Sequence, residues 1–407
     1  MKIDTVYFQI VTFGVMIYFP FFSLLASNNY WTQFYSLQFT TYASCTYNVL
    51  ESLGSIVSVP LMKKVSIHSI VNITLIFNLL SLILIPVLVF ISNKLTRSIL
   101  TLIPIALMGI CGGTCFTALA TFTSQIEQQY AQALQLGTGL SELIVQVLKI
   151  LFFYTGTLFG GSDENQVFLE NLCYFLTAFL YIVLVTFLWQ QMTKQHQFAR
   201  QVIANYDEAE GLLHGSDNDS LQPIKVKLSK KSINIGIAMF FTQFITYLTF
   251  PALTTSIPFI QNINSGLQFL DPQFSLWIMS SYLFSDFFGR MIIKSRFIQR
   301  FYSYQLAVTV AYFRICLVPL FFIVNLPRPK EQVLPLIHND IFSFILVAIF
   351  SLTGGMNLTV IFVRAQDNIL SVQEIHKISN FISIMCTVGC TVSSFVAIPI
   401  SLIVKDE

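Results

Sequence analysis

The sequence of 407 residues contains little charge and few histidines. Asp, Glu, Lys and Arg together make up 10% of it, against roughly 25% in soluble domains, so an ordinary water-soluble domain is excluded. The formal net charge of +2 is too small to indicate a nucleic acid or an acidic partner. The five histidines are scattered along the chain, whereas an enzyme should cluster its His, Asp or Ser residues. We therefore predict neither an enzyme nor a metal site.

Two further features are missing. No phosphate-binding loop of the form Gly-x-x-x-x-Gly-Lys-Ser/Thr occurs, so the sequence gives no sign of an ATP-driven motor. The seven cysteines are odd in number and all fall in apolar stretches, which favours packing in a core over a disulfide framework. No cofactor is predicted.

Long hydrophobic runs fill most of the chain. Hydrophobic residues make up 55% of it, forty residues are phenylalanine, and the mean hydropathy is +0.70. A bilayer core about 30 Å thick needs about 20 apolar residues in a helix to cross it. These runs predict an all-α, multi-pass integral membrane protein with about eleven transmembrane helices. The predicted spans are 7–26, 42–61, 67–91, 98–122, 133–159, 168–189, 233–258, 274–293, 304–325, 339–362 and 377–404.

One long hydrophilic segment, 190–232, divides these spans into six and five. We predict an N-terminal bundle over 1–189, a cytoplasmic linker over 190–232 and a C-terminal bundle over 233–407. Such a layout, with two bundles around a site at the bilayer midplane, is typical of secondary transporters.

The distribution of basic residues gives an orientation. With the N-terminus in the cytoplasm, fourteen Lys and Arg residues flank the spans on the cytoplasmic side, against five on the outer side. This bias follows the positive-inside rule, and it predicts a cytoplasmic N-terminus and an extracytoplasmic C-terminus. We expect the plasma membrane rather than an organelle. The five outer residues are Lys94, Arg97, Arg328, Lys330 and Lys405.

Ionisable side chains within spans are costly and are functional candidates by default. Asp286 and Arg290 are four residues apart and can pair across one helical turn, either lining a substrate cavity or joining helices. Glu142 needs a partner on another helix. Arg314 is predicted to be an interhelical lock or a gate. The full set is Glu51, Glu142, Lys149, Asp286, Arg290 and Arg314.

Two of these predictions have structural alternatives. Glu51 is either a protonatable site for coupling or a hydrogen-bonded carboxylic acid packed beside Asn48. Gly137 and Gly139 permit close approach of the fifth span to its neighbours. We assign gating or structural roles to Arg314, Gly137, Gly139 and Glu142.

Several short motifs occur in an order that resembles the equilibrative nucleoside transporter family. Residues 285–290 read Ser-Asp-Phe-Phe-Gly-Arg, similar to the Asp-x-x-Gly-Arg signature of that family's eighth span. Each motif is weak alone, and their order along essentially the whole chain carries the resemblance. The other matches are Gly14 with Pro20, Gly137-Thr138-Gly139, Phe250-Pro251-Ala252-Leu253, Arg314 ahead of Val318-Pro319-Leu320, and Gly354-Gly355.

The resemblance implies eleven helices in a fold related to the major facilitator fold. It also implies facilitative transport of purine and pyrimidine nucleosides, or nucleobases, by alternating access. It places Asp286 and Arg290 at the ribose hydroxyls, to which a carboxylate and a guanidinium can both bond. Tyr18 and Phe21 are expected to wall or stack on the base, with Phe21 where the family commonly has Trp. The family's fourth-span Gln has no clear counterpart, and Phe116 falls near its place.

Other interpretations stay open. Asp-x-x-Gly-Arg also occurs in a loop signature of major facilitator carriers of other polar solutes, although Tyr282 stands where that signature begins with Gly. A membrane enzyme or a receptor-like protein is a third alternative. Transport is expected to need no proton, because no buried carboxylate besides Asp286 has both a family precedent and an expected place at the cavity. Proton-coupled nucleoside transport is the rival, with Glu51 and Glu142 as its candidates.

Overall fold

A computed structural model describes residues 5–36, 39–159, 163–195, 228–250, 253–254, 257, 274–324, 339–365 and 372–405. These residues are almost entirely helical, which confirms the predicted all-α class. The helices are α1 Thr5–Ala26, α2 Asn28–Phe34, α3 Phe39–Met62, α4 Ile67–Leu88, α5 Lys94–Ile126, α6 Gln128–Phe159, α7 Asp163–Gln195, α8 Lys230–Thr249, α9 Phe274–Ile292, α10 Arg296–Phe301, α11 Tyr304–Phe313, α12 Val318–Ile323, α13 Asp340–Arg364 and α14 Val372–Lys405.

Each predicted span falls on one of these helices or, for the ninth span, on α11 and α12 together. Among the described residues, nine helical stretches are long and apolar enough to cross a membrane. Helices α3 and α9 do not meet that criterion although they have 24 and 19 residues. Both carry buried polar side chains that lower their average hydropathy, among them Asn48, Glu51, Ser52, Ser280 and Asp286.

Two predicted spans differ from the helices of the structure, and each difference lies next to a proline. The seventh span was predicted to reach residue 258, but α8 ends at Thr249 and Phe250 is extended (φ −110°, ψ 134°). Phe250 precedes Pro251, whose ring disfavours the helical conformation of the residue before it. The ninth span is broken at Arg314–Leu317, which form a 3-10 turn just before Pro319. Proline donates no backbone hydrogen bond and its ring crowds the preceding turn, so the α-helix cannot continue unchanged.

The helices pack in pairs through glycine. Helix α1 lies against α6, and a Cβ added at Gly14 would overlap the Leu134 carbonyl oxygen and come within 2.8 Å of the Gly137 Cα. In the same way α9 lies against α13, where Gly289 meets the Leu352 carbonyl. The backbones therefore approach as closely as small residues allow, which is how membrane helices gain packing energy.

The outer surface of the helices is apolar. Helix α4 exposes Ile76 and Leu80, and α7 exposes Leu180, Leu184 and Phe187, each at about half or more of its maximum. Exposed faces of this kind do not occur on monomeric soluble proteins of ordinary composition, whereas lipid covers them in a bilayer. This pattern agrees with the predicted membrane location.

We refer to helices α1–α7 as the N-terminal half and to helices α8–α14 as the C-terminal half. Between the halves, α6 packs against α9 and α13, while α3 and α5 pack against α14. The predicted linker begins inside a helix, because α7 continues to Gln195, and α8 begins at Lys230. Most of it, 196–227, lies outside the described residues. The domain boundaries and the orientation in the membrane stay predictions.

Candidate functional site

A cavity lies between the two halves. It comprises about 590 Å³ of space between atoms, counting the part that opens to solvent. Residues of α1, α6, α8, α9, α13 and α14 line it, together with Phe250, and many of their side chains are aromatic, amide or charged. Helix α5 contributes one residue, Phe116. The lining residues are Tyr18, Phe22, Phe116, Gln135, Thr138, Glu142, Gln243, Thr246, Tyr247, Phe250, Tyr282, Asp286, Arg290, Gly354, Leu358, Cys386 and Cys390.

Arg290 is the centre of the charged part of the cavity. Its Nε donates to the Asp286 Oδ2 over 2.6 Å, which confirms the predicted pair across one turn of α9. Its Nη2 lies 3.3 Å from the Glu142 Oε1 on α6, so Glu142 has the partner on another helix that the sequence required. Its Nη1 donates to the Thr138 hydroxyl and, over 3.2 Å, to the Gln135 carbonyl. One guanidinium thus joins the two halves.

These charges are buried, with exposed fractions of 4% for Asp286, 6% for Arg290 and 7% for Glu142. Two carboxylates share one guanidinium, so the group carries a net negative charge if both acids are ionised. Removing one member of such a buried pair strands its partner and costs about 3–5 kcal/mol. The carboxylate of Asp286 retains capacity for further hydrogen bonds, because an ionised carboxylate has about four acceptor positions.

Gly139 leaves room for the Arg290 side chain to reach α6 from α9. A Cβ at Gly139 would lie 2.6 Å from the Cδ and 2.8 Å from the Nε of Arg290. The absence of a side chain on that turn of α6 therefore lets the arginine cross from α9. Gly137, two residues earlier, packs instead against Val11 and Gly14 of α1. Both glycines have structural positions, and a gating role for either stays a prediction.

Arg314 lies within the C-terminal half and is not among the cavity-lining residues. Its Nη1 donates to the Thr242 carbonyl and the Thr246 hydroxyl, each over 3.1 Å, and its Nη2 donates to the Phe350 carbonyl over 3.1 Å. The guanidinium also lies 4.5 Å from the centre of the Phe350 ring. It therefore ties the broken ninth span to α8 and α13, which matches the predicted interhelical lock. A gating role is not tested by this arrangement.

The two predicted aromatic contacts have different positions. Tyr18 lines the cavity, with its ring centre 5.8 Å from that of Phe116. Phe21 does not line the cavity, because it stacks on Tyr47 at 4.2 Å and 19° and is only 1% exposed. Phe22 is the aromatic residue of that turn that reaches the cavity. Tyr47 thus covers one face of the Phe21 ring in this arrangement, and the stacking of Phe21 on a base stays a prediction.

The sequence reasoning missed several lining residues, above all Gln135. It is 2% exposed, lines the cavity, and its amide Nε2 has no hydrogen-bond partner. A signal was present in the spacing, because Gln135, Thr138, Glu142 and Gln146 recur every three or four residues and form a polar stripe on α6. Gln146 extends this stripe to α9, donating to the Ser280 hydroxyl over 2.7 Å.

No family model and no curated protein matches this sequence. Solved structures do resemble it. The proton:xylose symporter XylE of the major facilitator superfamily has a TM-score of 0.62 at 8% identity, with 97% of this chain and 88% of that chain covered. The E. coli fucose:proton symporter FucP has a TM-score of 0.58 at 14% identity, with 97% and 91% covered. The chain has the major facilitator fold.

The major facilitator fold, together with the apolar spans, makes this chain an integral, multi-pass membrane protein. It also accounts for a cavity between two helical halves, where carriers of several folds bind their substrates. The fold does not identify the substrate, since one fold serves many functions. The chemistry of the lining residues must do so.

Proposed function

We propose that this chain carries nucleosides across a membrane by alternating access. The observation that carries the proposal is a cavity that combines a buried carboxylate–guanidinium pair with aromatic walls and an unpaired amide donor. A nucleoside presents the complementary groups: vicinal hydroxyls, a flat ring, and ring acceptors.

The charged end of the cavity suits the ribose. Asp286 has one oxygen bonded to Arg290 and free acceptor capacity for the 2′- and 3′-hydroxyls. Arg290 has donors that can turn from Thr138 or Gln135 to a sugar oxygen when a substrate enters. Charge-assisted bonds of this kind are stronger than neutral ones. The pair would therefore both position the sugar and reject an analogue without hydroxyls.

The aromatic end suits the base. Tyr18, Phe22 and Phe116 line one side, while Phe250 and Tyr282 stack on each other at 4.3 Å and 13° on the other. Aromatic rings gain about 0.5–1.5 kcal/mol from such pairing beyond the area they bury. Gln135 supplies a donor for a carbonyl oxygen or a ring nitrogen of the base. We assign to Gln135 the contact with the base that the family resemblance gives to a fourth-span glutamine.

Hydrogen bonds between the two halves mark the interface that would move during alternating access. Thr121 donates to the Asn380 side chain over 2.7 Å between α5 and α14. Near the opposite ends of the same interface, Asn48 donates to the Ser394 hydroxyl over 2.7 Å. The cavity lies between these two contacts, which hold the two halves together on either side of it. Breaking one contact while keeping the other would open the cavity to one side at a time.

A carrier of another polar solute is the second candidate. It is favoured by the two structural neighbours, whose names describe sugar:proton symporters. Ligand-induced thermal stabilisation of the purified protein separates the two, because a ligand that binds the folded state raises the melting temperature by an amount that grows with the ratio of its concentration to its Kd. We expect uridine or adenosine to stabilise it and xylose or fucose to leave it unchanged. Stabilisation by the sugars alone would favour the second candidate.

A further inference from the structure

Glu51 is a buried carboxyl group that the proposed site does not use. It lies on α3 with an exposed fraction of 1%. The Tyr18 hydroxyl is within hydrogen-bonding reach of it, and its Oε1 has no hydrogen-bond partner. The two ion pairs of Arg290 are with Asp286 and Glu142, not with Glu51. Among the residues that the structure describes, no cation interacts with Glu51.

The titratable groups around Glu51 are hydroxyls and thiols. Tyr18 on α1, Tyr47 on its own helix and Tyr247 on α8 interact with it electrostatically, as do Cys386 and Cys390 on α14. Helix α5 presents Gly109 and Gly113 to the Glu51 backbone and carries Cys111 and Cys115 near Tyr47. Phenols and thiols are neutral near pH 7, so none of these groups offsets a negative charge.

An ionised carboxylate in such surroundings would be unfavourable. Burying a charge without a partner costs far more than burying a neutral acid, and proteins avoid the cost by keeping the acid protonated. This arrangement thus favours the neutral carboxylic acid at Glu51. Glu142 and Asp286 differ from it because each lies beside the Arg290 guanidinium.

Residues next to Glu51 contact α14, across the interface that would move during alternating access. On one side Asn48 bonds to Ser394, and on the other Ser52 bonds to Thr391 over 2.6 Å, so Glu51 lies between two contacts of α3 with α14. Separation of α3 from α14 would bring water to the carboxyl group. Tyr18 connects the same group to the cavity, because it lines that cavity and reaches Glu51.

We propose that Glu51 binds the proton that couples transport to a proton gradient. This proposal rests on the proposed function, and it replaces the expectation of transport without a proton. Water on the side to which the α3–α14 interface opens gives a proton to the Glu51 carboxylate. The neutral acid lets the halves close over the substrate. Opening on the other side returns that proton to water there, and the substrate leaves unchanged.

Two variants test the proton site directly. Glu51→Gln keeps the size and the hydrogen-bonding groups but cannot titrate. Glu127→Gln is the matched control, because Glu127 is exposed at the end of α5. Infrared spectra of the purified proteins at neutral pH should show a protonated-carboxyl band that Glu51→Gln loses and Glu127→Gln keeps. A band unchanged in Glu51→Gln would overturn the proposal.

Transport in proteoliposomes tests the coupling. With the membrane potential held at zero, the wild type and Glu127→Gln should accumulate uridine or adenosine against its gradient when the outside is acidic. One proton per nucleoside sets a limit of about tenfold accumulation per pH unit. Glu51→Gln should bring the two sides to equal concentration and no further, while still exchanging labelled for unlabelled nucleoside at equal pH.

The outcomes separate the two proposals. Exchange at equal pH without pH-driven accumulation in the wild type would overturn proton coupling and leave nucleoside transport standing. Accumulation by Glu51→Gln equal to that of the wild type would overturn Glu51 as the site. A wild type that exchanges sugars but no nucleoside would overturn the proposed function and, with it, the coupling of protons to nucleosides.

Discussion

Removing the Arg290 side chain tests the charged group that joins the halves. Arg290→Ala deletes the donors to Asp286, Glu142, Thr138 and the Gln135 carbonyl at once. It leaves two buried carboxylates in one cavity without a cation. Breaking a buried pair by removing one partner costs about 3–5 kcal/mol, and we expect a loss of this size in the free energy of unfolding. Nucleoside transport should be lost as well.

The assay is thermal unfolding of the purified protein in detergent, combined with transport in proteoliposomes. Arg300→Ala is the control, because Arg300 is exposed and its loss should change stability by less than about 0.5 kcal/mol. Adding Glu142→Gln to Arg290→Ala removes one stranded charge, so the double variant should be more stable than Arg290→Ala alone. The reasoning is refuted if Arg290→Ala unfolds at the same temperature as the wild type, or if the added Glu142→Gln destabilises it further.

Four other predictions follow from single features. Asp286→Asn should weaken the preference for ribose over dideoxyribose, which in the wild type should be at least about tenfold in transport efficiency; equal discrimination by both proteins would make the carboxylate structural. Gly139→Ala should lower both stability and transport, since its methyl group would overlap the guanidinium side chain, and normal transport would contradict this packing. Gln135→Ala should change the order of preference among bases in competition assays while leaving dideoxy discrimination intact; an unchanged order would exclude it from the base site. On intact cells an impermeant thiol reagent should label a cysteine placed at Glu407 and miss one at Ser216, and the reverse would invert the orientation.

Periodicity and charge predicted much of the fold and part of the site. Most span boundaries agree with the helices to within about six residues, the end of the seventh span excepted, because crossing a bilayer demands about 20 apolar residues. The pairing of Asp286 with Arg290 followed from their spacing on one helix, and it is present at 2.6 Å. The need of Glu142 for a partner was also predictable, since a lone buried charge is too costly.

The identity of that partner was not predictable. Arg290 and Glu142 are 148 residues apart in sequence, and only the packing of α6 against α9 brings them together. The face of α1 that lines the cavity was not predictable either. That helix is apolar all round, so its sequence has no polar stripe to show whether Tyr18, Phe21 or Phe22 points inward. The sequence analysis predicted Tyr18 and Phe21 there, and the cavity lining contains Tyr18 and Phe22.

The chemical role of Glu51 was also not predictable from the sequence. From sequence it was one of several acids in apolar spans, and a hydrogen-bonded structural role was the simpler interpretation. Its proposed role depends on the lack of a nearby cation among the described residues and on the contacts of α3 with α14 on either side of Glu51. Both are properties of tertiary packing, which the spacing of residues along one helix does not contain.

The central claim is that the cavity accepts a nucleoside, and exchange in proteoliposomes tests it most directly. Vesicles loaded with unlabelled uridine, adenosine, xylose or fucose are diluted into trace amounts of the same labelled compound at equal pH on both sides. We predict transient uptake of labelled nucleoside by the wild type, none by Arg290→Ala, and no uptake of either sugar above protein-free vesicles. Exchange of a sugar with no exchange of either nucleoside would contradict the account.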